Sequence, residues 1–89
     1  MAGFNGMKVR VKFFAILRER AGTSAATKEL ADGGTVADLW RELQKDYAKL
    51  DVPGIRMLYA VNQNYVGVDQ VLKDQDEVVF IPPVSGGGS

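Results

Sequence analysis

Near its end the chain passes through Glu77-Val78-Val79-Phe80-Ile81, an almost unbroken apolar run, and then meets Pro82-Pro83. A strand without polar alternation belongs where a sheet is covered on both faces, which puts this last strand in the middle of its sheet. Neither proline can donate a ladder hydrogen bond, so the strand stops there. The residues that follow, Val84-Ser85-Gly86-Gly87-Gly88-Ser89, carry no hydrophobic pattern. A fold for this chain must therefore return its final strand to the centre of the sheet and leave a flexible glycine-rich tail, residues 84–89, outside it.

The preceding residues supply the partners for that strand. From Lys8 to Phe14, Val9, Val11 and Phe13 alternate with Lys8, Arg10 and Lys12, the period-two pattern of a strand with one buried face. Phe14 then falls on the polar face, where an aromatic residue either packs beneath a neighbouring loop or serves a partner surface. Ala15 to Arg20 reads as a helical turn stopped at Gly22, and Thr27 to Leu30 as a short second strand. After the break at Asp32-Gly33-Gly34, Thr35 is a good N-cap with Asp38 three residues on, and Val36, Leu39, Trp40, Leu43 and Tyr47 follow at helical spacing. Arg41, Glu42, Lys45 and Asp46 form its solvated face.

Pro53-Gly54 marks a turn, Leu58 to Val61 a strand, and Asn62-Gln63-Asn64 a tight bend into Tyr65 and Val66. Tyr59 and Tyr65 fit ordinary strand packing, and Asp74-Gln75-Asp76 turns the chain into the last strand. One helix that can bury its stripe only against a sheet gives an α+β roll, ββαββ in order, over residues 7–83. Residues 1–6 lack periodicity and read as an extension or cloning remnant ahead of Met7.

With 89 residues, one domain is expected to bury only about 60–65% of the surface its unfolded chain exposes, too little for a deep active site of its own. Cysteine and histidine are both absent, which removes thiolate nucleophiles, the usual zinc ligands and the best proton shuttle near neutral pH. No metal site is expected. Eleven basic and eleven acidic side chains cancel, so no cationic field gathers nucleic acid or an anionic membrane. No apolar run approaches the roughly 20 residues that cross a bilayer, and Met1 to Gly6 lacks the regions of a signal peptide, so the cytoplasm is the expected compartment.

The tail has a chemical logic of its own. Prolines stiffen its base, and glycines let the backbone enter a channel too narrow for side chains. At about 3.3–3.6 Å per extended residue, Pro82 to Gly87 would reach roughly 20 Å from the sheet. Composition alone fits a frayed end or linker equally well.

Three blocks of residues decide between these readings. Val11-Lys12-Phe13-Phe14-Ala15-Ile16-Leu17-Arg18-Glu19-Arg20-Ala21-Gly22 resembles the opening of the molybdopterin synthase small subunit family. Ala60-Val61-Asn62-Gln63 and the stretch from Leu72 through Pro82-Pro83-Val84-Ser85-Gly86-Gly87 resemble its middle and its end. The blocks stand in the right order and cover residues 7–87. Thiamine sulfur carriers are similar in fold and in their Gly-Gly end, but Phe-Phe-Ala and Pro-Pro-Val are more like the molybdopterin branch.

The resemblance implies a β-grasp fold like that of ubiquitin and a sulfur carrier without catalytic residues or a stably bound cofactor. It implies that Gly87 is adenylated at the expense of ATP by a partner related to ubiquitin-activating enzymes. A persulfide donor then converts the adenylate to a thiocarboxylate, and the tail enters the large synthase subunit to give sulfur to a cyclic pterin precursor. By the same resemblance Gly86 accompanies Gly87 in the channel, and Pro82, Pro83, Val84 and Ser85 form the stalk. Related modifiers that attach to lysines through the same glycine, or a thiamine-type sulfur carrier, are the alternatives. The family pattern ends at Gly87, whereas Gly88-Ser89 follow here; a cloning or fusion remnant, a trimmed precursor and a working end at Ser89 each fit the sequence. Phe14, Arg10, Arg18 and Phe80 are candidates for the surface that meets a partner.

Overall fold

The computed structural model describes residues 6–50 and 56–82. Strand β1 (Gly6–Phe13) is followed by a short helix α1 (Ile16–Ala21), strand β2 (Ala25–Ala31), the main helix α2 (Val36–Asp46), a 3-10 turn (Ala48–Leu50) and strands β3 (Leu58–Val61), β4 (Asn64–Val66) and β5 (Glu77–Ile81). They form one sheet in the order β2-β1-β5-β3-β4, with β1 and β5 parallel and every other pair antiparallel. The last strand is central, as expected, and the arrangement is the expected β-grasp roll. It has five strands, ββαβββ, because the bend at Asn62 and Gln63 makes β3 and β4 two strands in addition to β5. Residues 53 and 54, expected to form a turn, lie outside the described residues.

The alternation in β1 turns Met7, Val9, Val11 and Phe13 to one face, where each is at most 4% exposed. Val36, Leu39 and Leu43 of α2 close over that face with no exposed area, joined by Leu17, Leu50, Val78 and Phe80. A Leu or Phe buried this completely contributes about 1.5–3 kcal/mol, which is why the helix lies on the sheet with this stripe inward. Trp40 stacks obliquely on Phe80 at 4.9 Å between centroids, Tyr59 meets Phe80 edge-on at 5.9 Å, and Tyr47 meets Phe13 edge-on at 5.9 Å. Among the described residues the sheet is covered on one face only, not on both as the apolar run of β5 suggests: Val78 and Phe80 are buried, but Val79 and Ile81, facing the other way, are only half-buried between the flanking strands β1 and β3.

The start of α2 is determined locally. Thr35 Oγ1 accepts from the Asp38 N–H at 3.2 Å, and Asp38 Oδ2 accepts from the Thr35 N–H at 3.0 Å, a reciprocal capping box. The Val36 and Ala37 N–H groups donate to the Gln70 and Val68 carbonyls, so the segment before β5 is tied to the helix start. α1 ends at Gly22, whose φ of 77° is the left-handed conformation that glycine adopts without a Cβ penalty.

The Thr35 N–H, then the Thr35 hydroxyl, and to a lesser degree Arg41, hold the Asp38 carboxyl below its ordinary value of 3.8. A folded-state pKa lowered in this way stabilises the protein above the ordinary value and loses that contribution as pH falls through the lowered one. Asp38→Asn is therefore expected to lower the melting temperature at neutral pH, with the gap to the parent protein closing in acid. A gap that is constant across a pH series of thermal melts would contradict the charge-based account of this cap.

Candidate functional site

β1 and β5 are parallel, so both finish at the same end of the sheet, where Pro82 is the last residue described. Phe13 and Phe80 are register partners; Phe14 follows one and Ile81-Pro82 the other. Pro82 is buried, which anchors the expected stalk at its first residue. Pro83, Val84, Ser85, Gly86 and Gly87 lie outside the described residues.

Phe14 stands beside this root and is 49% exposed rather than covered by a loop. The backbone explains its position. Ala15 has φ 54° and ψ −129°, a conformation that costs a non-glycine residue about 1–3 kcal/mol and turns the chain abruptly out of β1 into α1. The Ala15 carbonyl accepts from the Arg18 N–H at 3.1 Å and the Glu19 N–H at 3.3 Å, which fixes the turn.

The register extends the exposed apolar surface across the uncovered face. Leu58 pairs with Ile81, and Ala60 pairs with both Val79 and Tyr65. Because Tyr59, Val78 and Phe80 point toward the helix, these partners point away from it. Leu58 is 58% and Tyr65 73% exposed, values that no core requirement explains. The result is an apolar strip on β5, β3 and β4 that starts where the tail begins. On the same face, β1 presents Lys8, Arg10 and Lys12, with Lys12 Nζ 3.2 Å from Glu77 Oε2.

Of the residues expected to meet a partner, Phe14 and Arg18 are exposed near the tail root. Arg10 is exposed but stands toward the other end of β1, where Nη2 donates to the Gln75 carbonyl at 3.2 Å. Phe80 is corrected: it has no exposed area and packs between Trp40 and Tyr59, because its parity on β5 turns it to the helix. Its neighbour Ile81 takes the outward position. Sequence reasoning missed Leu58 and Tyr65; their common parity, counted across the two-residue bend Asn62-Gln63, was the available signal.

Residues 11–87 match the ThiS family. The chain is 41% identical over 83 residues to the molybdopterin synthase sulfur carrier subunit of Chlamydomonas reinhardtii, an alignment covering 91% of this chain and 100% of that one. It is 44% identical over 81 residues to the protein of the same name from Escherichia coli, covering 89% and 99%. The solution structure of small archaeal modifier protein 1 from Methanosarcina acetivorans superposes with a TM-score of 0.78 at 31% identity, covering 92% of this chain and 98% of that one.

Proposed function

Because this chain belongs to the ThiS family, which it matches over residues 11–87, we propose that it is the sulfur carrier subunit of molybdopterin synthase and that Gly87 bears the sulfur. The observation that carries the reading is the placement of the tail root: the central strand ends at buried Pro82, beside an exposed apolar strip. Likeness to carrier subunits along almost their full length supports it, and the family match itself runs to Gly87.

The chemistry follows from what a carboxylate lacks. It is a poor electrophile, so an adenylating partner joins the Gly87 carboxylate to the α-phosphorus of ATP and releases pyrophosphate. A persulfide sulfur then attacks the activated carbonyl and AMP leaves. A second thiol cleaves the sulfur–sulfur bond and becomes part of a disulfide, leaving the thiocarboxylate on Gly87. In the synthase the thiocarboxylate sulfur bonds to a side-chain carbon of the pterin precursor as a carbon–oxygen bond at that carbon breaks and the oxygen leaves. Water then cleaves the resulting thioester, leaving sulfur on the precursor and returning the Gly87 carboxylate. This chain contributes no acid, base or nucleophilic side chain; it positions its own end. ATP is consumed by the partner and is not retained.

The apolar strip is the docking face for the large synthase subunit. Phe14→Asp combined with Leu58→Asp is expected to weaken that complex by at least about 10-fold, since desolvated apolar anchors dominate such contacts. The melting temperature should stay nearly constant because both side chains are exposed. Unchanged affinity in a titration calorimetry experiment would remove this face from the proposal. The likeness to the Methanosarcina modifier favours a second reading, attachment to lysines through Gly87. The two separate on the fate of that residue, a thiocarboxylate in one case and an isopeptide bond in the other.

A further inference from the structure

The formal charges of this chain sum to zero, but the fold does not mix them evenly. At the end where β5 stops, Arg18 and Arg20 lie on α1, which follows β1 directly. Arg20 Nη1 donates to the Lys49 carbonyl at 3.2 Å and so holds the 3-10 turn against α1. Arg56 stands two residues ahead of Leu58, the register partner of Ile81. All four cations are exposed, and none forms an ion pair among the described residues. Of the described carboxylates at this end, Glu19 lies on α1 and Asp46, at the end of α2, is paired with Lys28, so the four cations are in excess there.

The opposite end has the reverse balance. The turn after β2, the first turn of α2 and the loop before β5 gather Asp32, Asp38, Asp69, Asp74 and Asp76. The loop is tied there by backbone bonds from Val36 and Ala37 and by the Lys8 N–H, which donates to Asp74 Oδ1 at 2.8 Å. Glu29, the register partner of Lys8, adds a sixth acid, and Lys8, Arg10, Arg41 and Lys73 oppose them. The body is therefore an electric dipole whose positive pole surrounds the root of the glycine tail.

We propose that this cationic pole docks against a carboxylate-lined rim around the opening through which a partner enzyme admits the tail. The inference rests on the carrier reading above and adds the chemistry of the surface that receives it. A zero-charge carrier gains nothing from net attraction, yet a dipole is turned by an acidic rim so that the tail arrives first. The same surface must also accept the apolar strip that begins beside Phe14, which calls for an apolar patch bordered by acids. Nucleic acid offers no such patch, and an anionic bilayer would be met by a stronger net positive field than this chain carries.

The test is the rate of association with the large synthase subunit, measured by stopped-flow fluorescence for the parent chain and for Lys49→Glu combined with Arg56→Glu. For the parent, the rate constant should fall about 10-fold between ~20 mM and ~0.5 M salt. The double variant should associate about 10-fold more slowly at low salt, converge on the parent at high salt, and dissociate at an unchanged rate. Asp32→Asn with Asp69→Asn, at the other pole, should leave association within about 2-fold of the parent. Equal rates for parent and double variant at low salt would overturn the proposal, as would a defect that persists undiminished at high salt. Loss of binding to vesicles containing phosphatidylglycerol in the double variant, with association to the subunit unaffected, would assign the pole to lipid and overturn it too. If the parent forms no complex at all, the carrier reading falls, and this inference with it.

Discussion

In a chain ending at Gly87, Gly87→Ala is expected to reduce thiocarboxylate formation by about 100-fold or more while leaving the melting temperature unchanged. The first half follows from steric room: a glycine backbone can lie against a nucleotide at a distance that a Cβ forbids, and a displacement of the reacting carboxyl by about 1 Å costs on the order of 100-fold in rate. The second half follows from the position of the residue beyond Pro82, the last buried residue described. Sulfur loading measured by mass spectrometry, with a thermal melt of the same sample, checks both. Normal loading, or a large fall in melting temperature, would break the separation between a body that folds and an end that reacts.

Phe80→Ala is expected to produce the opposite pattern. Its ring is wholly buried between Trp40 and Tyr59, and truncating such a residue costs about 3–5 kcal/mol through lost transfer energy and an unfilled cavity. A domain of this size has about 5–15 kcal/mol in total, so the loss should lower the melting temperature by roughly 15–30 °C. A variant with unchanged stability but weakened partner binding would reinstate Phe80 as a contact residue. The outward Phe14 and Leu58 provide the contrast, since substitutions there should act on binding and not on stability.

How far the fold could be read from residues depended on whether a pattern had one solution. The α2 stripe did: Thr35 and Asp38 mark its start, the spacing of Val36, Leu39 and Leu43 leaves one possible inward face, and the structure has that face buried. The alternation of β1 was equally unambiguous. In contrast, Val78 to Ile81 is apolar at every position, so nothing local tells which parity meets the helix. Register with Phe13 and Tyr59 makes that choice, and it sends Phe80 inward and Ile81 outward. The same limit hid Tyr65, because a tyrosine on a strand suits packing and exposure alike. Ala15 gave no signal, since alanine seldom takes a positive φ and nothing in its neighbourhood demands glycine. At the site, the residues of the tail were legible as chemistry, whereas the surface that accompanies them existed only once β5, β3 and β4 had been placed side by side.

The most direct test of the whole account is the intact mass of the chain ending at Gly87 after incubation with an adenylating enzyme of the ubiquitin-activating type, ATP and a persulfide sulfur donor. The account predicts a gain equal to one oxygen replaced by sulfur, localised by fragmentation to Gly87 and absent when ATP is omitted. An unchanged mass under conditions that load an established carrier, or sulfur found on any other residue, would contradict it.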